Sequence, residues 1–419
     1  MRWNLSDLNV IVKKRKSAME RRTFLKVLLQ AAAVALFWRK DKLAISQPPS
    51  GAKLPVSGKA NRVALAGVQR GASPQTVKSA VRAAAESATD FSWLSKGDAV
   101  FIKPALNSGN PYPATTSPEA IGAVVEILKD KGARRVIVGD MCGIEHVKLS
   151  PEGLSGSSRS LMEASGMARA AKAAGAELHF FEEAGWAAFY EDLPAAGSNW
   201  KRGLMMPNVL KEVDHIILMP RCSRHVLAGS TLGLKAAVGY WRTDTRLEYH
   251  RDAATFQEKT AEGNTVNTLL KKQRLVISAA DKILTTYGPD KGLIVDPEMG
   301  LIMASESVVA HDMVSLAWLL ENRQTVPSSE KEGLKDPYSS QLIVSAGNHW
   351  VVSKLGGFGP AFDSERLTRN DINTIWDDRV LNRAYQIFGS RPTVALEPAN
   401  DAVPQALKKR LAECTIPPA

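Results

Sequence analysis

Residues 216–241 read IILMPRCSRHVLAGSTLGLKAAVGYW, and the reading of this stretch decides the fold. Ile216 to Met219 is a short apolar run with strand character that stops at Pro220. Arg221, Cys222, Arg224 and His225 follow, then a Gly-Ser-Thr turn, then the apolar segment Leu232 to Val238 with Lys235 inside it. Open α/β sheets bind ligands at the carboxyl ends of their strands, where the chain turns into the next helix. The stretch therefore marks a ligand site on the edge of a parallel sheet.

The same alternation extends in both directions. Arg62 to Val68, Ala99 to Lys103, Arg135 to Gly139 and Glu177 to Phe181 are short apolar runs, with helical periodicity between them at Ser73–Ala88, Ser117–Lys131 and Ser157–Ala174. Ser117 followed by Pro118 is a strong helix start, because a hydroxyl cap and a proline both suit the first turn. Downstream, Arg274–Ile277, Lys282–Thr286 and Leu301–Ala304 read as strands, and Thr265–Gln273 and Ser307–Leu320 as helices. Strands alternating with helices predict an α/β fold: a mostly parallel sheet flanked by helices. From Glu330 on, helices at Pro337–Ala346 and Asn370–Phe388 and a GGFGP loop predict a helical and irregular C-terminal part.

The net charge of +11 is unevenly placed. In residues 1–46, eleven Lys or Arg against Asp7, Glu20 and Asp41 hold +8 of it, which leaves +3 for the body. A nearly neutral body lacks the basic face that a nucleic-acid-binding domain needs. Three cysteines, Cys142, Cys222 and Cys414, are too few and too scattered for a disulfide framework.

Glu20 to Lys26 reads ERRTFLK and precedes a twelve-residue apolar run, Val27 to Trp38. A bilayer span takes roughly 20 residues. A basic lead, a short apolar region and a small-residue exit at Ala44-Ile45-Ser46 follow the order of a signal peptide. The string RRTFLK resembles the twin-arginine export motif. It implies passage through the twin-arginine machinery to the periplasm, with an uncleaved N-terminal anchor as a variant and a basic amphipathic helix as the alternative. The expected organisation is residues 1–46 signal or anchor, 47–60 linker, 61–325 α/β domain, and 326–419 an extension packed on that domain.

Six strings occur in a telling order: IKPALN (102–107), ATTSPEA (114–120), VIVGD (136–140), MPRCSRH (219–225), STLGLKAAVG (230–239) and ASESVVAHD (304–312). Together they resemble the bacterial and archaeal family called domain of unknown function 362, over roughly Arg62 to Leu320. The resemblance implies an α/β fold with a cleft built from these loops, and no settled reaction. Many members of that family carry a ferredoxin-like four-cysteine insertion, which this chain lacks, so no iron–sulfur cluster is expected. Ala105 also stands where the family usually has Asn, with Asn107 two residues on.

Several residues are candidates for chemistry. Lys235, inside an apolar run, needs an anionic partner or a lowered pKa, the latter being the route to a base lysine. Lys103 ends a buried strand; it either binds an anion or carries its amine to the surface. Ser230 and Thr231, with the amides near Gly229, are placed to hold a carboxylate or phosphate at a helix start. Asp140 at a strand tip and His225 in the central loop are candidates for proton transfer, and Asn107 for ligand contact. Asp312, in an apolar helix, is expected to pair with Lys235 or Lys103. The leading reading is a small-anion-binding cleft of an enzyme, with Lys235, His225 and Asp140 catalytic and Lys103, Asn107, Ser230, Thr231 and Asp312 binding. A periplasmic binding or accessory protein without turnover is the first alternative. A metal-dependent redox protein is the second: Cys142-x-x-x-His146 and Cys222-x-x-His225 follow two strand tips and would make a zinc-like set if those tips were neighbours. A Cys142–Cys222 disulfide is a further alternative.

Overall fold

The computed structural model describes residues 56–418, with side chains of the first strand described from residue 60. The twin-arginine-like segment lies outside the described residues. Eight strands form one sheet: β1 (Val56–Gln69), β2 (Ala99–Pro104), β3 (Arg135–Asp140), β4 (Glu177–Phe180), β5 (His215–Met219), β8 (Gln273–Ala280), β9 (Met299–Ser305) and β10 (Arg391–Pro398). The short β6 (Ser223–His225) and β7 (Gly229–Thr231) make an antiparallel hairpin just past the end of β5.

The strand order is β10-β1-β9-β8-β5-β2-β3-β4. From β8 to β4 every neighbouring pair is parallel. β9 runs antiparallel to both β8 and β1, and β10 lies parallel to β1 on the edge. The fold is thus the expected α/β arrangement, with a mostly parallel sheet flanked by helices.

Alternation along β1 shows how the sheet buries both faces. Ala64, Ala66 and Val68 join one apolar layer, which includes helices α1 (Pro74–Ala88) and α2 (Pro118–Asp130). Val63 and Leu65 join the other, which packs on α5 (Val308–Gln324) and α7 (Arg379–Ile387). Between these come the short α3 (Gly233–Ala236) and α4 (Thr243–Arg251). Helix α6 (Gln341–Gly356) packs on α4. Among the described residues, no helix is long and apolar enough to cross a membrane.

The register sets the position of the cleft. Ile102 of β2 pairs with Val138 of β3, and Pro104 with Met219 of β5, so three strands end on one edge. Thr116 ties that edge together: its hydroxyl donates to the Met219 carbonyl (2.7 Å) and accepts from the Ala105 amide (2.8 Å). The loop after β2 is thereby fixed to the end of β5.

Some expectations are corrected. The helix expected over Ser157–Ala174 is broken into Ser158–Ala164 and Met167–Ala173 by Gly166, whose φ of 87° is left-handed. The helix expected at Pro337–Ala346 begins only after Ser340, whose hydroxyl caps it. The one expected at Asn370–Phe388 shrinks to α7, started by Asp378, whose carboxylate accepts the Leu381 amide. The loop expected at GGFGP holds a short helix, Phe358–Phe362. The stretch expected to be linker, 47–60, already contains the start of β1 at Val56. β10 was not expected, because Pro392 and Pro398 obscure its strand pattern; an edge strand tolerates proline, since one side of its backbone needs no partner.

Because β10 and the helix after it complete the second apolar layer, Leu411 is fully buried although only eight residues follow it in the sequence. Leu411→Ala is expected to cost about 2–5 kcal/mol in a urea melt. A loss below about 1 kcal/mol would show that this last segment is not an integral part of the core.

Candidate functional site

The carboxyl edge of β2, β3 and β5 carries an unusual density of charge. Lys103 and Asp140, with side chains 1% and 3% exposed, form an ion pair at 2.8 Å. The lysine also donates to the Pro104 carbonyl at 2.7 Å and lies 5.4 Å from the centre of the Tyr240 ring. Asp140 is further held by the amides of Leu106 (3.0 Å) and Met141 (2.8 Å). Burial pulls the lysine pKa down and the carboxyl pKa up, each against the attraction of its partner. Gly239 packs directly on this pair; a Cβ there would collide with Lys103 Nζ.

Around the pair, cations outnumber carboxylates. Arg246 of α4 gives its two terminal nitrogens to the carbonyls of Met141, Cys142 and Gly239, leaving its Nε without a partner. Arg221, just past β5, is 1% exposed. Its Nη1 donates to the carbonyls of Ala114 and Pro289, while Nε and Nη2 have no acceptor. Burial drives its pKa down to about 10, against the pull of Asp290.

Lys235, in α3, has its amine 5.7 Å from the centre of the Tyr249 ring and no hydrogen bond or ion pair to a described residue. Burial, then Arg246, Arg221 and Lys103, push its pKa from 10.5 down to about 7. The lysine expected to need an anion or a lowered pKa therefore has the lowered pKa.

Two histidines share this environment. His225 Nδ1 accepts from the amides of Leu227 (3.1 Å) and Ala228 (3.2 Å), so the neutral ring carries its proton on Nε2. Burial, then Lys235 and Arg221, hold its pKa well below the ordinary value. His250 Nδ1 meets Asn348 Oδ1 at 2.8 Å, while Asn348 Nδ2 donates to the His250 carbonyl at 2.8 Å. The amide orientation makes Nδ1 the protonated nitrogen and leaves Nε2 as a lone-pair acceptor. Burial, with Lys235 and Arg246 adding repulsion, pushes this pKa down to about 3. His250 was not among the expected residues. The available signal was its i, i+4 spacing from Arg246, which puts both on one face of α4.

The remaining candidates are placed differently. Asp312 pairs with neither lysine: its oxygens accept the amides of Gly233 (2.8 Å) and Leu234 (2.7 Å), and His311 Nδ1 lies 2.9 Å away. A carboxylate that caps a helix start satisfies two amides at once, which a lysine partner would not do. The start of α3 is therefore already filled and is no anion cradle. Ser230 lines a cavity of about 10 Å³ with Lys235, Asp312 and Asp378, room for about one water. Burial pushes Asp378 up to about 6. Thr231 Oγ1 is buried without a partner. Asn107 donates to the Ala114 carbonyl at 3.3 Å and accepts the Cys142 thiol on its own carbonyl at 2.8 Å, both contacts within the wall of the site.

The four-ligand Cys/His set does not assemble. Cys142 and Cys222 are free thiols, buried in the apolar layers on opposite faces of the sheet, and Cys222 donates to the Ser315 carbonyl at 3.4 Å. The disulfide alternative falls with it. Among the described residues, a different group, Glu145, His146 and Asp290, brings its ligand atoms within 4.8 Å of one another at the outer rim.

Comparison with known proteins gives three findings. The model of the family described as Domain of unknown function (DUF362) matches residues 100–317. No curated protein matches the chain. Two solved structures are similar at 12% identity: the lactate racemase apoprotein from Thermoanaerobacterium thermosaccharolyticum, with a TM-score of 0.35 over 58% of this chain, and a protein from Thermotoga maritima, with a TM-score of 0.36 over 61%. The matches span 53% and 60% of those two chains.

The lowered pKa of Lys235 has a consequence for stability. Between about pH 7 and pH 10.5 the unfolded chain holds a proton on this lysine that the folded chain does not, so this group makes stability rise with pH across that window. Lys235→Met, which keeps the volume and removes the charge, is expected to be more stable than the ligand-free parent at pH 6, on the order of a few kcal/mol. The gain should shrink toward pH 10 in urea melts. A gain independent of pH would mean that Lys235 is not depressed.

Proposed function

The chain belongs to the Domain of unknown function (DUF362) family, and from that premise we propose that its cleft is the active site of an enzyme acting on a small anion. One observation carries the reading: among the described residues the Lys235 amine has no hydrogen-bond or ion-pair partner, although it is set among Arg221, Arg246 and Lys103, and the nearby carboxylates Asp140 and Asp312 are committed to Lys103 and to backbone amides. Cations gathered out of water without matching carboxylates are costly unless an anion arrives to balance them.

The division of labour follows from the hydrogen bonds. Arg221 and Lys235 receive the anion. Asp140 is a positioning residue that holds Lys103 and the loop amides. His225 cannot take a proton on Nδ1, which two amides already occupy, so it serves as an Nε2–H donor. Proton transfer is left to Lys235, which can accept or release a proton near neutrality, while the Nε2 lone pair of neutral His250 serves only as a hydrogen-bond acceptor.

The test is the titration of Lys235 itself. In protein whose lysines carry ¹³C-methyl labels, one resonance should titrate near pH 7 and vanish in Lys235→Met. If every lysine titrates near 10, the proton-transfer role is lost and a binding protein without turnover becomes the better reading.

Export is proposed on the ERRTFLK string. Replacing Arg21 and Arg22 together with Lys preserves charge and should keep the protein in the cytoplasm. Unchanged export of that double variant would favour a basic amphipathic helix instead.

A further inference from the structure

Side chains alternate across the segment 221–225. Cys222 enters the apolar layer with Leu218, and Arg224 turns to Asp336 (3.6 Å) and the Tyr338 ring (4.3 Å). Ser223 and His225 therefore share the opposite side, and Arg221 and Lys235 lie close enough to His225 to repel a charge on it. Across the hairpin, Ser223 stands in register with Thr231, which brings the two hydroxyls side by side.

This strip is built of donors that the protein leaves unused. Arg221 is fixed by two carbonyls on Nη1, which leaves the Nε–Nη2 edge open; that edge is the one that meets an oxyanion with two parallel hydrogen bonds. Ser223 Oγ and Thr231 Oγ1 are buried without partners, in residues 0% and 4% exposed. His225 presents Nε2–H, and Lys235 its amine. Buried donors of this kind are rarely left unsatisfied in a native protein, because each gives up its hydrogen bonds to water for nothing in return.

We propose that the anion taken by this cleft is a phosphoryl group, carried by a phosphate monoester or by inorganic phosphate and seated on Arg221, Ser223 and Thr231. The inference rests on the anion-site reading and narrows it. A carboxylate offers about four lone-pair positions in one plane, fewer than these donors supply and with the wrong shape for groups converging from both strands of a hairpin. A phosphoryl group presents three terminal oxygens in three directions. Its charge of about −1.5 to −2 at pH 7 also suits Arg221 backed by Lys235, whereas a monocarboxylate would leave positive charge unmatched. The amides at the start of α3 take no part, because Asp312 occupies them.

The experiment is a binding series on the full chain, by calorimetry and by ³¹P line broadening, with inorganic phosphate, glycerol phosphate, acetate and succinate as probes. Phosphate-bearing probes should bind at least tenfold more tightly than either carboxylate. Tighter binding of glycerol phosphate than of inorganic phosphate identifies the monoester; the reverse order identifies phosphate itself. Ser223→Ala and Thr231→Val should each weaken binding about tenfold while melting like the parent. Arg221→Met should abolish it, with Arg221→Lys as the partner variant should the first fail to fold. Carboxylates binding as well as phosphates would overturn the phosphoryl assignment and leave the anion site standing. Phosphate affinity unchanged in both hydroxyl variants would overturn it as well, by moving the phosphate elsewhere. No binding of any probe would overturn the anion site together with it.

Discussion

Positive charge held out of water, with too few carboxylates to match it, is the constraint on which the rest of this structure depends. Lys103 is balanced by Asp140. The buried Arg221 and Arg246 and the half-buried Lys235 are not balanced in this way, and a fold that holds them there must gain elsewhere. The gain is visible in the two apolar layers, which cover both faces of an eight-stranded sheet. Fully burying a large aliphatic side chain contributes roughly 1.5–3 kcal/mol. Such a core can support the local cost of an unpaired cation on its edge.

Backbone carbonyls, not carboxylates, hold the arginines. Arg246 clamps the carbonyls of Met141, Cys142 and Gly239, joining the tip of β3 to the segment after α3. Arg221 is held by the carbonyls of Ala114 and Pro289, joining the loop after β2 to the segment between β8 and β9. Carbonyl partners fix the orientation of a guanidinium while leaving its full charge unneutralised. The same residues therefore serve as struts between loops and as a field acting on whatever enters. A carboxylate in either position would have fixed the loop equally well and cancelled the field.

Much of this was legible in the sequence, for physical reasons that differ from part to part. The parallel strands were readable because burial on both faces makes them continuous apolar runs, as in AVFIK and IILM. Lys103, Asp140 and Lys235 stood out because a charge beside such a run demands an explanation. Arg221 and Arg246 were missed as the main cations because arginines in loops and polar helices attract no notice until their partners are known. His250 was missed for a related reason: its neutrality and its free nitrogen depend on Asn348, ninety-eight residues away. The Cys/His set failed because β2 separates β3 from β5, and the two thiols turn to opposite layers. No spacing rule within one chain segment could have shown that.

The placement of Asp312 explains how Lys235 stays available. It sits in the helix that packs on α3, and the sequence suggested it as the lysine's counter-ion. Had it paired, the amine would have been held protonated, and a lysine fixed as a cation can anchor a ligand but cannot exchange a proton with it near neutrality. The fold instead spends the carboxylate on the amides of Gly233 and Leu234. That contact fixes the start of the four-residue helix and so the position of Lys235, without touching its amine. The two demands that the proposed proton-transfer role makes of Lys235, a rigid backbone and an unpaired nitrogen, are met by one residue acting on the amides just before it. Position and reactivity are thereby separated. Burial, helped by the nearest cations, then sets the protonation of Lys235, and the carboxylate sets its place.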